Sequence, residues 1–167
     1  MIQVYTGNGK GKTTAALGLA LRAAGAGLNV YIAQFAKGRL CSEHKALKKI
    51  RNIKLEQFGN NCFIGRKPAK KDLILAKRGL EKVRSIIESR NYDLIVLDEI
   101  NLALKLRLIK LKEIVDLLKR TSRKIELVLT GRDAPVVILK MADLISEIKE
   151  IKHYYKKGQK ARRGIEF

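Results

Sequence analysis

Apolar positions along the chain follow two rhythms: short runs rich in β-branched and aromatic residues, and longer stretches spaced for a helix. Ile2–Tyr5 (IQVY) is a β-prone run that leads into a glycine-rich turn. KTTAALGLALRAAGAG follows, rich in Ala and Leu, with Gly25 and Gly27 suited to a helix end. Asn29–Phe35 (NVYIAQF) reads as a buried strand, AKGR as a turn, SEHKALKKIR as a short surface helix and Ile53–Phe58 (IKLEQF) as an alternating strand. Gly59–Pro68 (GNNCFIGRKP) has the composition of a loop. From Lys70 to Ser89 the residues Leu73, Leu80, Val83 and Ile87 keep helical spacing. DLIVLDEI is an apolar strand ending in acids, and Leu111–Lys119 an amphipathic helix. IELVLTGR is a strand running into a turn, APVVILKMA a short helix, and DLISEIKEIKH contains the last strand. Strands alternating with helices predict an α/β fold, with a mostly parallel central sheet and helices on both faces. Ligands of such sheets bind at the carboxyl ends of the strands. The polar clusters Thr6–Thr13, Gln34–Gly38, Asp98–Asn101 and Thr130–Asp133 fall at such ends.

The first of these clusters carries the strongest chemical signal. TGNGKGKTT nearly fits the phosphate-loop pattern G-x-x-x-x-G-K-[ST], with Thr6 at the place of the first glycine and Gly7 and Gly9 nearby. Gly7, Asn8, Gly9, Lys10, Gly11, Lys12, Thr13 and Thr14 are therefore candidate nucleotide-binding residues. Glycines let successive backbone N–H groups turn toward phosphate oxygens, and the helix N-terminus adds its dipole. Lys12 would neutralise phosphate charge, and the Thr13 hydroxyl would ligate magnesium. The bland alternative, a turn that merely joins strand to helix, does not require G-K-T-T in register after a strand.

Asp98 and Glu99 close the apolar run LIVL, the shape of a strand-end acid that holds magnesium directly or through water. Glu99 would polarise a water or itself ligate the metal. Arg132 in TGRD offers fork geometry to phosphate oxygens, with a surface arginine in a turn as the competing reading. His44 and His153 have no partners at metal-ligand spacing, and no Ser-His-Asp or Cys-His arrangement is evident.

Composition bounds the rest. At 167 residues with 46% hydrophobic content, one globular domain spanning 1–167 is expected. No apolar run approaches the length of a membrane span, and a strand at residue 2 leaves no room for a leader, so a cytoplasmic protein without membrane contact is expected. Cys41 and Cys62 show no C-x-x-C pattern and read as free thiols. The 36 Lys+Arg against 16 Asp+Glu give a net charge of +20, which attracts polyanions, nucleic acid and ATP alike. Aromatics are only 5%, and the cations are spread along the chain, both of which argue against a nucleic-acid surface. The densest run, Lys67–Arg78, reads as the solvated face of a helix.

Taken together, TGNGKGKTTAALG, QFAKG, LDEIN, TGRDAP, IKH and a terminal A-x-x-GIEF resemble the P-loop ATP:corrinoid adenosyltransferase family, in order and over nearly the whole chain. The resemblance implies a RecA-like P-loop fold, commonly a homodimer. It also implies transfer of the adenosyl group of ATP to the cobalt of a reduced corrinoid, with triphosphate released and an electron donor supplying the reduction. On that likeness Gly7–Thr14 carry ATP, Thr13 and Glu99 hold magnesium, and Asp98 and Arg132 give supporting contacts. Lys12 and Phe63 are the catalytic candidates. Phe63 matches the aromatic of a G-F-T-W element found in some relatives, while Gly65 stands at its tryptophan position. Two rivals carry the same P-loop: a RecA-like nucleic-acid-stimulated ATPase, and a small phosphoryl-transfer kinase using Lys67–Arg78 as a lid.

Overall fold

The short β-prone runs pair into a sheet whose partners are all parallel, ordered β3-β2-β4-β5-β1-β6. Its strands are β1 (Ile2–Thr6), β2 (Val30–Phe35), β3 (Ile53–Phe58), β4 (Leu94–Asp98), β5 (Glu126–Thr130) and β6 (Leu144–Glu147). The helices are α1 (Lys12–Gly25), α2 (Ser42–Leu47), α3 (Lys70–Ser89), α4 (Ile100–Lys105), α5 (Leu111–Arg120) and α6 (Val136–Met141). The structure, a computed structural model, describes residues 1–60 and 67–167. Cys62, Phe63 and Gly65 lie outside the described residues.

Strand periodicity divides the core in two. Tyr31, Ala33 and Phe35 of β2, Ile95 and Leu97 of β4, and Leu127 and Leu129 of β5 pack with apolar residues of α3, α4, α5 and α6. Their alternates Val30, Ile32, Leu94, Val96 and Val128 pack with Ala16, Leu17, Ala20 and Ala23 of α1 and Leu47 of α2. Both faces are thus covered, as a parallel sheet requires. At one edge β6 remains exposed at all four of its residues.

Details differ from the sequence reading where local signals are weak. In α3 the buried stripe is Ala76, Gly79, Leu80, Val83, Ile86 and Ile87, while Leu73 is exposed. The helix packs on β2 and β3 with Lys70, Lys71, Lys77 and Arg78 exposed, the solvated face expected and not a separate lid. SEHKALKKIR is helical only as far as Leu47, and it buries His44. Helix α4, which starts immediately after the acid pair, was not anticipated.

Candidate active site at the carboxyl edge of the sheet

Parallel pairing delivers the ends of β1, β2, β4, β5 and β6 to one edge, and the phosphate loop is built against the chain leaving β6. Strand β1 continues its pairing through Thr6, opposite Glu147, and Thr6 O accepts from Ile148 N at 2.9 Å. The first motif position is therefore strand, where a β-branched residue fits. Turning begins one residue later, at Gly7, with φ 94°. Gly9 N donates to Ile148 O at 2.7 Å, and a Cβ on Gly9 would stand 2.7 Å from Lys149 O. The displaced glycines are set by this close approach of the backbone.

Lys12 opens α1 and is only 8% exposed. Its Nζ donates to Gly7 O and Gly9 O, each at 2.7 Å, so the ammonium lies across the loop. Burial pushes its pKa down, and nearby Arg132 adds to this while Glu99 opposes it. The opposite charge of a bound polyanion would offset both. The next residue, Thr13, donates its hydroxyl to Asp98 Oδ1 at 2.9 Å.

Asp98 ends β4 and is fully buried. Besides Thr13 it accepts from Thr130 Oγ1 at 2.7 Å and from Gln34 Nε2 at 3.1 Å. Glu99 follows in a left-handed conformation, φ 57°, unusual for a non-glycine residue, with its N–H held by Thr130 Oγ1 at 2.9 Å. Burial raises the Glu99 pKa, and the adjacent Asp98 raises it further, against Lys12, Lys37 and Arg132. Two neighbouring carboxylates and a hydroxyl form a hard-oxygen donor set, which fits magnesium. The crowding that disfavours the Glu99 anion is what a divalent ion would relieve.

These groups border a cavity of about 920 Å3, lined by Gly9–Thr14, Lys37, Glu99, Arg132 and His153 together with Leu17, Leu21, Ala46 and the C-terminal residues 164–167. Asn8 is exposed and does not line it, and Asp98 stands behind Thr13. Lys37 is a cation of the QFAKG cluster that was not assigned a role from sequence. It bonds Glu43 at 3.3 Å, and Cys41, Glu43 and Asp98 together outweigh burial to raise its pKa. The C-terminal segment was likewise missed as part of the site. Lys10 Nζ reaches Glu166 at 2.8 Å and the Tyr154 hydroxyl at 2.6 Å, while that hydroxyl also bonds Glu166. Ser42 Oγ donates to Phe167 O at 3.0 Å, and the Arg39 guanidinium lies 4.4 Å from the Phe167 ring centre. The tail thereby bridges the phosphate loop and the start of α2.

His44 has no metal partner by sequence spacing, but in space its ring lies with Cys41 and Glu43, their ligand atoms within 4.8 Å of one another. Both ring nitrogens are already engaged, Nδ1 with Cys41 N at 2.9 Å and Nε2 with Gln34 Oε1 at 2.7 Å. No lone pair remains for an ion.

Sheet order, phosphate loop and strand-end acids define a P-loop nucleotide-binding protein of RecA-like architecture. A KaiC-like protein of the hyperthermophilic archaeon Pyrococcus horikoshii OT3 shares the fold with a TM-score of 0.58, at 17% identity, over 90% of this chain and 74% of that one. Residues 1–167 match the family described as ATP:corrinoid adenosyltransferase BtuR/CobO/CobP, and the chain belongs to that family. A corrinoid adenosyltransferase of Sinorhizobium sp is 33% identical over 177 residues, covering 100% of this chain and 80% of the relative. The corrinoid adenosyltransferase of Escherichia coli (strain K12) is 30% identical over 167 residues, covering 100% and 85%.

Proposed function

We propose that the protein, acting as one domain, transfers the 5′-deoxyadenosyl group of ATP to the cobalt(I) of a reduced corrinoid, in adenosylcobalamin synthesis. The observation that carries this reading is the gathering of Lys12, Thr13, Lys37, Glu99 and Arg132 around one cavity in a chain matched to the family over its whole length. The cobalt lone pair forms the Co–C5′ bond as the C5′–O bond breaks, and triphosphate leaves with the electron pair. Cobalt is oxidised from +1 to +3, and no proton moves. No general base is required.

The work of the chain is alignment, charge compensation and exclusion of water. Lys12, the amides at the start of α1, Lys37 and Arg132 meet the triphosphate. Thr13 and Glu99 hold magnesium, with Asp98 accepting the Thr13 hydroxyl proton in a hydrogen bond. Bound magnesium supplies positive charge to the leaving group. The C-terminal residues 164–167 wall off the cavity. Phe63 serves at the corrinoid face, an electron donor supplies cobalt(I), and the reaction belongs in the cytoplasm. A homodimer fits the apolar residues exposed beside the sheet edge, Val136 and Val137 of α6 and Leu144 and Ile145 of β6.

Glu99→Gln tests the metal assignment. Calorimetry should show magnesium-ATP affinity falling at least about tenfold and adenosylation about a hundredfold, with ATP binding in chelator little changed. Wild-type magnesium dependence in that variant would remove Glu99 from the metal site.

A further inference from the structure

His44 is 2% exposed, does not line the cavity and has no part in the chemistry above. Its ring nevertheless ends a buried chain of hydrogen bonds that begins at the phosphate loop. Nε2 faces Gln34 Oε1, an atom that can only accept, so the ring proton is assigned to Nε2, and Nδ1 accepts from Cys41 N–H at 2.9 Å while also lying 3.1 Å from Cys41 O. Nε2–H then donates to Gln34 Oε1 at 2.7 Å, and Gln57 Nε2 donates to the same oxygen at 3.3 Å. With its oxygen taken by these donors, the Gln34 amide turns its nitrogen to Asp98 Oδ2, 3.1 Å away. Asp98 Oδ1 receives the Thr13 hydroxyl at 2.9 Å. The opposite amide orientation would set an oxygen against a buried carboxylate, at the cost of an unmade bond in a fully enclosed place.

We infer that His44 is a positioning residue for the Thr13–Asp98 pair. By donating from Nε2 it fixes the Gln34 amide, so that Asp98 is braced by an N–H donor and stays aimed at the Thr13 hydroxyl. The oxygen lone pairs of Thr13 are then left for magnesium. This deepens the magnesium reading above and rests on it. A purely structural role is the alternative, because Nδ1 also accepts the backbone N–H that precedes α2.

Two substitutions separate the roles. In His44→Asn the amide oxygen can replace Nδ1 and keep the Cys41 contact, but the donor to Gln34 is lost. In His44→Gln the amide nitrogen can replace Nε2 and keep that donor, while the Cys41 contact is lost. The probe is ATP binding by calorimetry, with magnesium and with chelator, alongside melting temperature. H44N should weaken magnesium-ATP binding about tenfold, the scale for groups that orient metal ligands, with chelated ATP and Tm close to wild type. H44Q should retain magnesium-ATP affinity within about threefold of wild type, a partial loss well short of the H44N effect. Gln34→Leu, which leaves the start of α2 intact, should reproduce the H44N loss, and the double variant should be no worse than Q34L alone. Should H44N fail to fold, Q34L carries the test.

Normal magnesium-ATP binding in H44N or in Q34L overturns the inference, as does a loss in H44N that is equal with and without magnesium. If wild-type ATP affinity ignores magnesium, the metal site itself falls and the inference with it. A magnesium-dependent wild type beside an equally magnesium-dependent H44N removes only His44.

Discussion

Lys12 holds two carbonyls of its own loop at 2.7 Å, so the loop carries a ready cation whose neighbours Gly7 and Gly9 allow no side chain. On the proposed chemistry, replacing Lys12 by Ala would remove a charge contact that strengthens as triphosphate leaves. Adenosylation should slow at least about a hundredfold, and near-normal rates would show that the loop does not grip the leaving group. Much of this was legible in GKGKTT and LDEIN, because both motifs keep their atoms close in sequence. Gln34, Lys37, His44 and Glu166 were not assigned. Gln34 and Glu166 meet Asp98 and Lys10 from far along the chain, and Lys37 and His44 meet nearer partners at spacings that match no motif, so neither kind of pairing leaves a readable pattern. The placement of Thr6 was visible, but its cause was not. Only the pairing of β1 with β6 shows that the strand runs on through the first motif position.

At the level of elements, α3 illustrates both how a helix is specified and how its seat is chosen. Its apolar spacing was readable over Lys70–Ser89, and its bounds agree with the sequence expectation. Gly79 inside it, a residue that weakens helices, has a packing reason: a Cβ there would lie 2.6 Å from Phe58 Cγ and 2.9 Å from Phe35 Cε1. Gly79→Ala should therefore destabilise the protein by about 1–3 kcal/mol despite the gain in helix propensity, seen as a lowered melting temperature. A rise in Tm would mean that the two rings yield freely. Helix α4 escaped notice because Glu99, and not a Ser, Thr, Asp or Asn, precedes it, and because only six residues follow before its end.

The tail, whose A-x-x-GIEF entered the resemblance but does not reveal where it docks, is held by polar contacts and not by an apolar stripe. Lys10, then the Tyr154 hydroxyl and the Arg162 backbone, hold the Glu166 carboxyl below its ordinary range. A carboxylate depressed in the folded state adds stability that is present above its unfolded pKa, about 4.3, and lost as pH falls through the folded value. Tail docking should accordingly be intact at neutral pH and loosen on acidification below about pH 4. Amide exchange at residues 164–166, corrected for intrinsic rates, should rise there ahead of the sheet, and Glu166→Gln should show the same loss at pH 7. Protection unchanged in both experiments would mean that the Ser42 and Arg39 contacts suffice.

On the scale of the whole molecule, the sheet order was not deducible from strand count alone, yet alternation of strands and helices was enough to predict parallel pairing and a site at the carboxyl edge. The net charge of +20 remains the property shared by every reading, since ATP, triphosphate and nucleic acid are all polyanions. A P-loop with strand-end acids is shared as well, by ATPases and kinases. What distinguishes adenosyl transfer is which bond of ATP breaks, at C5′ and not at a phosphorus. The decisive measurement therefore supplies magnesium-ATP and a chemically reduced corrinoid to the purified protein and identifies both products. Triphosphate and an adenosylated corrinoid should appear in equal amounts, with no stoichiometric ADP. ADP formed without corrinoid, or formed on stimulation by nucleic acid, would contradict the assignment.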